Sequence, residues 1–84
     1  MNFPKIELTE EFVLSQIKDV KYFYDGTLTI CVITTLSDFK IVESSNLVDP
    51  KRYDQIKGME IARQKATSKL YDYCAFYLKI VTQN

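Results

Sequence analysis

The sequence of 84 residues contains no histidine. Histidine is the commonest general base near neutral pH and the commonest protein ligand of transition metals, so the simplest routes to both kinds of site are missing. Only two glycines are present, Gly26 and Gly58. They are too few and too far apart for a glycine-rich loop that holds phosphate. These absences predict a protein that is not an enzyme and that needs no cofactor.

Cysteine is also scarce, with Cys31 and Cys74 alone. Small secreted domains that depend on disulfides carry more cysteines than this. A structural zinc site needs four ligands, which two cysteines without histidine do not supply. Cys31 lies in the middle of an apolar run, where a free thiol usually packs as a small hydrophobic side chain. We therefore expect two reduced, buried thiols and no metal site.

No excess of charge and no long apolar run is present. Eleven basic residues balance eleven acidic ones, whereas proteins that bind duplex nucleic acid present a basic surface. No apolar run approaches the roughly 20 residues of a membrane-spanning helix. The N-terminal residues are mixed and charged, unlike a signal peptide. We expect a cytoplasmic protein whose partners include neither duplex nucleic acid nor a membrane.

Apolar and aromatic residues are plentiful instead. The composition is 46% hydrophobic and includes six tyrosines and five phenylalanines, which predicts one folded domain over residues 1–84. A domain this small buries only about 60% of the surface of its unfolded chain. Association with further copies of itself is therefore a natural source of stability. Six tyrosines also exceed what so small a core needs, so some are expected at a partner surface or a pocket.

The pattern of residues predicts an α+β fold. Thr9 is a suitable N-cap for a helix from about Glu10 to Asp19. A three-stranded antiparallel meander should follow, with turns at Asp25-Gly26 and Ser37-Asp38. Its predicted strands are Tyr22–Tyr24, Thr27–Thr35 and Phe39–Ser45.

The second half of the chain is predicted to be helical. Asp49-Pro50 favours the start of a short helix that ends near Gln55. Gly58 would allow a bend, and a long helix from about Lys57 to Tyr77 should pack on the sheet through the small residues at 62 and 66. For residues 79–84, helix, edge strand and a frayed end all remain open.

The predicted central strand has apolar residues on both faces. Leu28, Ile30 and Val32 point one way, and Cys31 and Ile33 the other, which is typical of a strand covered on two sides. The helices of one chain cover one face. A second subunit is a candidate cover for the other, so we expect a homo-oligomer.

Two further features have an ordinary and a sharper interpretation. A run of cations lies in the predicted helices: Lys51, Arg52, Lys57, Arg63, Lys65 and Lys69. A solvated helix face is the ordinary explanation, and an anion such as phosphate near a helix N-terminus is the alternative. Phe39 follows a turn directly, where a single aromatic residue usually joins the core. It would otherwise stack on a base or another ring.

Five short segments follow one another in a distinctive order: Thr27-Leu28-Thr29-Ile30-Cys31-Val32, Leu36-Ser37-Asp38-Phe39, Glu43-Ser44-Ser45, Val48-Asp49-Pro50-Lys51-Arg52-Tyr53-Asp54 and Gly58-Met59-Glu60-Ile61-Ala62-Arg63. Their order resembles the Gp49-like family of short proteins from tailed phages and prophages. The similarity covers about residues 11–79, with Ser37-Asp38 where the family usually has Asn-Gly, and Tyr71 where it often has tryptophan.

The resemblance implies a phage protein that acts without catalysis in the cytosol of the host. It also suggests a relation to the anti-Thoeris sponges, oligomeric phage proteins that sequester signals of the cyclic ADP-ribose class. On that hypothesis Phe39 stacks on the ligand, Arg63 binds phosphate, and Asn46 and Asp49 make polar contacts near one strand-to-helix junction. The alternative is a host-takeover protein that binds and inhibits a host protein through exposed tyrosines. Binding of single-stranded nucleic acid is a third hypothesis, which the zero net charge disfavours.

Overall fold

A computed structural model describes residues 7–52 and 54–82 of the chain. Three strands form one antiparallel sheet in the order β1-β2-β3, and a long helix packs on one face of it. The predictions of an α+β fold, a three-stranded antiparallel meander and a long C-terminal helix are confirmed. The elements are α1 (Glu10–Ser15), β1 (Ile17–Asp25), β2 (Leu28–Thr35), β3 (Lys40–Asn46), a 3₁₀ turn (Pro50–Arg52) and α2 (Gln55–Thr82).

The first helix is shorter than predicted and the first strand is longer. The hydroxyl oxygen of Thr9 accepts a hydrogen bond from the amide of Phe12 at 3.0 Å, as expected of an N-cap. The helix ends at Ser15, however, and residues 17–19 already belong to β1. Ile17 and Val20 pack against the core from the strand. A bulge between Ile17 and Asp19 shifts the register, which allows an i, i+3 spacing that resembles a helix.

Both turns differ in detail from the predicted ones. Asp25 is still a strand residue paired with Leu28, so the loop is Gly26-Thr27 rather than Asp25-Gly26. Gly26 has a φ of +57°, a conformation that suits glycine at the first position of a two-residue hairpin loop. In the second turn Asp38 has a φ of 65°. β3 then begins at Lys40 rather than at Phe39.

Helix α2 is one continuous helix of 28 residues that runs through Gly58. The predicted short helix from Pro50 to Gln55 is only a 3₁₀ turn, Pro50–Arg52. The carboxylate of Asp54 explains the boundary, because it accepts hydrogen bonds from the amides of Ile56 at 3.0 Å and Lys57 at 3.4 Å. Residues 79–82 are helical, and residues 83–84 lie outside the described part of the chain.

The core lies between α2 and one face of the sheet. Ala62 and Ala66 are completely buried, so the helix backbone approaches the strands closely. Polar contacts attach α2 to β3 at the edge of this layer. Lys69 pairs with Glu43 at 2.6 Å, and the ammonium of Lys65 donates to the carbonyl of Ser44 at 3.1 Å. The core residues are Val13, Cys31, Ile33, Ile41, Ala62, Ala66, Leu70 and Cys74.

The opposite face of the sheet, here called the outer face, is open in the single chain. Buried and half-buried residues alternate along β2, so Leu28, Ile30 and Val32 point away from Cys31 and Ile33, as predicted. Whether a second subunit covers this face stays a prediction. No helix in residues 7–52 and 54–82 is long and apolar enough to cross a membrane.

Candidate functional site

A pocket opens where α2 passes the turn between β2 and β3. Its volume is about 390 Å³, within the usual range for sites that bind small molecules. Apolar side chains dominate the lining, with a few hydroxyl and amide groups among them. The lining residues are Gln16, Thr35, Ser37, Phe39, Ile41, Leu70, Tyr73 and Cys74. We call this the Phe39 pocket.

The turn that carries Phe39 is held by several hydrogen bonds. The backbone of Thr35 donates to the carbonyl of Phe39 at 2.9 Å, and the amide of Phe39 donates to the Thr35 hydroxyl at 3.1 Å. The same hydroxyl lies 3.0 Å from the hydroxyl of Ser37. On the other side, Lys18 pairs with Asp38 at 2.8 Å. These contacts fix the direction in which the Phe39 ring projects.

Phe39 and Tyr73 form an aromatic wall of the pocket. Their ring centroids are 5.2 Å apart with an interplanar angle of 78°, an edge-to-face arrangement. Both rings are about half exposed, at 50% and 48%. Their solvent-facing surfaces are therefore open to a further planar group, which is what stacking of a base requires.

The two cysteines are set up for packing rather than for nucleophilic attack. Burial raises the pKa of the Cys74 thiol, which lines the Phe39 pocket. Burial also raises the pKa of Cys31, although the charge of Arg63 and a hydrogen bond with Tyr22 act in the opposite direction. Both thiols therefore stay protonated at neutral pH, and a thiol is a poor nucleophile compared with a thiolate.

Arg63 lies on a different part of the surface from Phe39. It lines a smaller cavity of about 200 Å³ together with Tyr22, Ile56, Met59 and Glu60. Burial raises the pKa of the Tyr22 phenol, although the charge of the nearby Arg63 guanidinium acts in the opposite direction. Arg63 thus belongs to the β1 side of α2.

Asn46 and Asp49 lie at the far end of β3 from Phe39. The Asn46 side-chain oxygen accepts a hydrogen bond from the Thr27 hydroxyl at 2.9 Å. Asp49 accepts one from the amide of Lys51 at 3.0 Å and faces Arg52 at 3.7 Å. Asn46 lies seven positions after Phe39 along extended chain, a distance of about 23 Å at 3.3 Å per residue.

The structure therefore does not bring the four predicted site residues together within one chain. Only Phe39 lies in the pocket, Arg63 faces Tyr22, and Asn46 and Asp49 share the opposite end of the sheet. A single site that used all four would need residues from two copies. Their role in binding a ligand stays a prediction. Of the cationic run, Lys65 and Lys69 contact Ser44 and Glu43 of β3. Whether the remaining cations bind an anion stays a prediction.

A comparison with models of protein families matches residues 8–81 to the phage protein (N4 Gp49/phage Sf6 gene 66) family. The match covers nearly the whole chain. The protein belongs to this phage family. The resemblance to Gp49-like proteins is thereby confirmed, whereas nothing in the match concerns the anti-Thoeris sponges. The comparisons with curated proteins and with solved structures gave no match.

In this member of the Gp49 family, several lining residues of the pocket were not predicted from the sequence. Tyr73 was predicted only as part of the long helix, and Gln16 only as part of the N-terminal helix. The excess of aromatic residues in the last turns of α2 was the available signal for Tyr73. For Gln16 the sequence offered no such signal. Gln16 lines the pocket because α1 ends at Ser15, one residue before it.

Proposed function

We propose that this phage protein is a non-catalytic binder that sequesters a nucleotide-type signal of host defence, of the cyclic ADP-ribose class. It acts as a homo-oligomer in the cytosol of the host. The observation that carries the proposal is the Phe39 pocket, because it combines two half-exposed aromatic rings with a cavity of about 390 Å³. Membership of a phage family supports the setting, and the raised thiol pKa values of both cysteines support binding without chemistry.

The pocket supplies part of what such a ligand needs. A base stacks on the Phe39 ring, and the hydroxyls of Ser37 and Tyr73 with the amide of Gln16 are suited to ribose hydroxyls. Among the described residues that line the pocket, none is a cation. In the homo-oligomer Arg63, Asn46 and Asp49 of a neighbouring copy complete the site, with Arg63 as the partner of phosphate.

Direct capture of the ligand tests this function. The purified protein is incubated separately with cyclic ADP-ribose isomers and with cyclic dinucleotides, freed of unbound ligand and heated. We expect one of these nucleotides to be released intact from the heated protein. Release of an altered nucleotide would contradict sequestration without catalysis, and release of none would reject the function.

Substitution of Phe39 tests the site itself. Loss of stacking on an aromatic ring costs about 1–3 kcal/mol per base, so Phe39→Ala should weaken binding about 5- to 150-fold. Phe76→Ala is the matched control, because Phe76 is 66% exposed on α2 and does not line the pocket. A Phe39→Ala variant that binds as tightly as the unaltered protein would place the ligand elsewhere.

Inhibition of a host protein by direct contact is the second candidate function. It is favoured by an exposed apolar stripe on the last turns of α2, formed by Tyr73, Phe76, Tyr77 and Ile80. Aromatic residues are enriched in the centres of protein interfaces. On this alternative, Phe76→Asp abolishes a stoichiometric complex with one host protein and Phe39→Ala preserves it. If the protein instead binds a nucleotide, Phe39→Ala should weaken binding of the nucleotide and Phe76→Asp should preserve it.

A further inference from the structure

The outer face carries a continuous apolar patch at its centre. Side chains on a strand alternate between faces, so the register of the sheet assigns each residue to one side. Phe23 on β1 and Val42 on β3 flank the middle strand and are 54% and 55% exposed. The patch consists of Phe23, Leu28, Ile30, Val32 and Val42.

Charged residues lie on the edge strands of the outer face in a definite pattern. Asp19, Thr34 and Lys40 form one row across the three strands, because Asp19 and Lys40 both pair with Thr34. The Lys40 ammonium extends inward along this row and donates to the Thr34 hydroxyl at 2.9 Å. At the other end of the face, Asp25 pairs with Leu28. Asp19 and Lys40 thus carry opposite charges on the same row, at opposite edges of the outer face.

We propose that a second copy of this chain docks on the outer face, related by a two-fold axis that runs parallel to the strands. This rotation places β1 of one copy over β3 of the other and keeps each row at the same level. Asp19 then faces Lys40 of the partner subunit, and the symmetry repeats the pair on the other side. Thr34 lies between the two pairs, and the apolar patches of the two copies meet on the next three rows, where Lys21 faces Val42 of the partner subunit.

Charge complementarity selects this axis over the other two-fold arrangement. A two-fold axis perpendicular to the strands would place β1 over β1 with the rows reversed. Asp19 would then face Asp25 of the partner subunit, and like charges that meet at an interface are unfavourable. The parallel axis instead gives two opposite-charge pairs on one row beside the apolar patch, which is the self-complementarity required of a symmetric dimer.

Known sheet packing is compatible with this contact. Stacked sheets lie about 10 Å apart, with strands inclined by about 30°. That inclination shifts the row of Asp19 and Lys40 sideways by about 5 Å, because this row lies about 10 Å along the strands from the centre of the patch. The flexible four-carbon stem of Lys40 can span such a shift. Lys21, which pairs with Val32 at the β1 edge of the patch, is exposed and can pack its stem while its ammonium stays in water. A second copy of the same chain can therefore cover the outer face with ordinary sheet-on-sheet packing.

Charge exchange between two variants tests the proposal. Asp19→Lys alone and Lys40→Glu alone each put like charges opposite each other, so each should weaken the dimer at least tenfold in sedimentation or light scattering. An equimolar mixture should restore dimers, because in each heterodimer the introduced lysine faces the introduced glutamate and the remaining Asp19 faces the remaining Lys40. The double variant Asp19→Lys/Lys40→Glu should restore them too. Lys79→Glu, a charge reversal at the exposed end of α2, is the control and should change nothing.

Substitution of a residue of the apolar patch provides a second, independent test of the dimer. Val42→Lys places a second cation opposite Lys21 of the partner subunit and should give monomers, whereas Ile56→Lys, at an exposed apolar site on α2, should not. Thermal unfolding confirms that each variant is folded. An unaltered protein that is monomeric at about 100 μM, or a Val42→Lys variant that still dimerises, overturns the proposal.

This interface rests on the proposed function as one contact of its homo-oligomer, and its test uses no nucleotide. Because each row keeps its level, the interface does not itself bring Asn46 of the partner subunit to the Phe39 pocket. A dimer that binds no ligand leaves the interface standing and rejects the sponge. Nucleotide release from a strict monomer overturns the interface and the homo-oligomeric part of the proposed function, but it leaves sequestration of the nucleotide standing. A face that binds a host protein instead of a second copy would appear as a monomer and also contradicts the interface.

Discussion

The Phe39 ring meets the Tyr73 ring edge-on, with centroids 5.2 Å apart. This contact joins the turn after β2 to the sixth turn of α2 and forms one wall of the candidate pocket. The two residues are 34 positions apart in the sequence. Their contact therefore depends on how α2 lies across the sheet.

A double-mutant cycle should detect this contact. Edge-to-face aromatic pairs contribute about 0.5–1.5 kcal/mol beyond the area that they bury, and these two half-exposed rings should fall at the lower end. The free energies of unfolding of Phe39→Ala, Tyr73→Ala and the double variant are measured with urea. Phe39→Ala combined with Ile56→Ala, at the other end of α2, should be additive within about 0.5 kcal/mol. Equal additivity in both cycles would mean that the rings do not interact.

Enlarging Ala66 should destabilise the fold. Ala66 is fully buried between α2 and the sheet, so Ala66→Leu forces the helix away from the strands or the new side chain into strain. Overpacking of this kind costs about 1–3 kcal/mol. Ala75→Leu makes the same change at an exposed position of the same helix and should be nearly neutral. The unfolding midpoints of the two variants are compared. Equal midpoints would contradict close packing of α2 on the sheet at Ala66.

Removal of the N-cap of α1 should also lower stability. Thr9→Ala deletes the acceptor for the amide of Phe12, and loss of such a cap typically costs about 1 kcal/mol. Thr9→Ser retains a hydroxyl at the same place and should recover most of the loss. Chemical denaturation of the three proteins provides the comparison. A Thr9→Ser variant as unstable as Thr9→Ala would indicate that the methyl group, and not the hydrogen bond, matters.

Stability should fall in alkaline solution. Burial raises the pKa of Cys31 above its ordinary value of 9.0, so above that pH the unfolded chain loses the thiol proton before the folded chain does. The folded state then binds more protons, and the free energy of unfolding decreases as pH rises from about 9 through the raised pKa. Tyr22 shifts in the same direction from 10.0. Cys31→Ala, measured from about pH 7 to 10.5, should flatten the decline; an unchanged slope would show that the thiol does not contribute.

Most of the architecture could be predicted from local pattern. A few neighbouring residues specify each element. Thr9 and Glu10 specify the start of α1, Gly26 specifies the hairpin between β1 and β2, and Ala62 with Ala66 specifies the buried face of α2. Ile17 was predicted to lie in the first helix because its spacing from Val13 also suits a helix, and only pairing with β2 made that segment a strand. The 3₁₀ turn at Pro50–Arg52 likewise replaced a predicted helix because Asp54 caps α2 just after it.

The candidate site was less predictable. Phe39 was identified as a ring that could stack, but its neighbours Tyr73 and Gln16 come from elements whose meeting point no local pattern encodes. Arg63 was grouped with Phe39, and the structure places it beside Tyr22 instead. Helical periodicity predicts the face of a helix on which a residue lies. It does not predict which end of which strand that face will contact.

The sequence by itself determined the α+β class, the antiparallel meander and the two apolar faces of β2, since alternation and helical spacing are local properties. Its order of segments also determined the resemblance to a phage family that the family comparison then confirmed. The tertiary structure alone decided that Phe39 meets Tyr73 at a pocket and that Asp19 and Lys40 share a row of the outer face. Both results follow from strand register and from the path of α2, which are set by the packing of the whole chain.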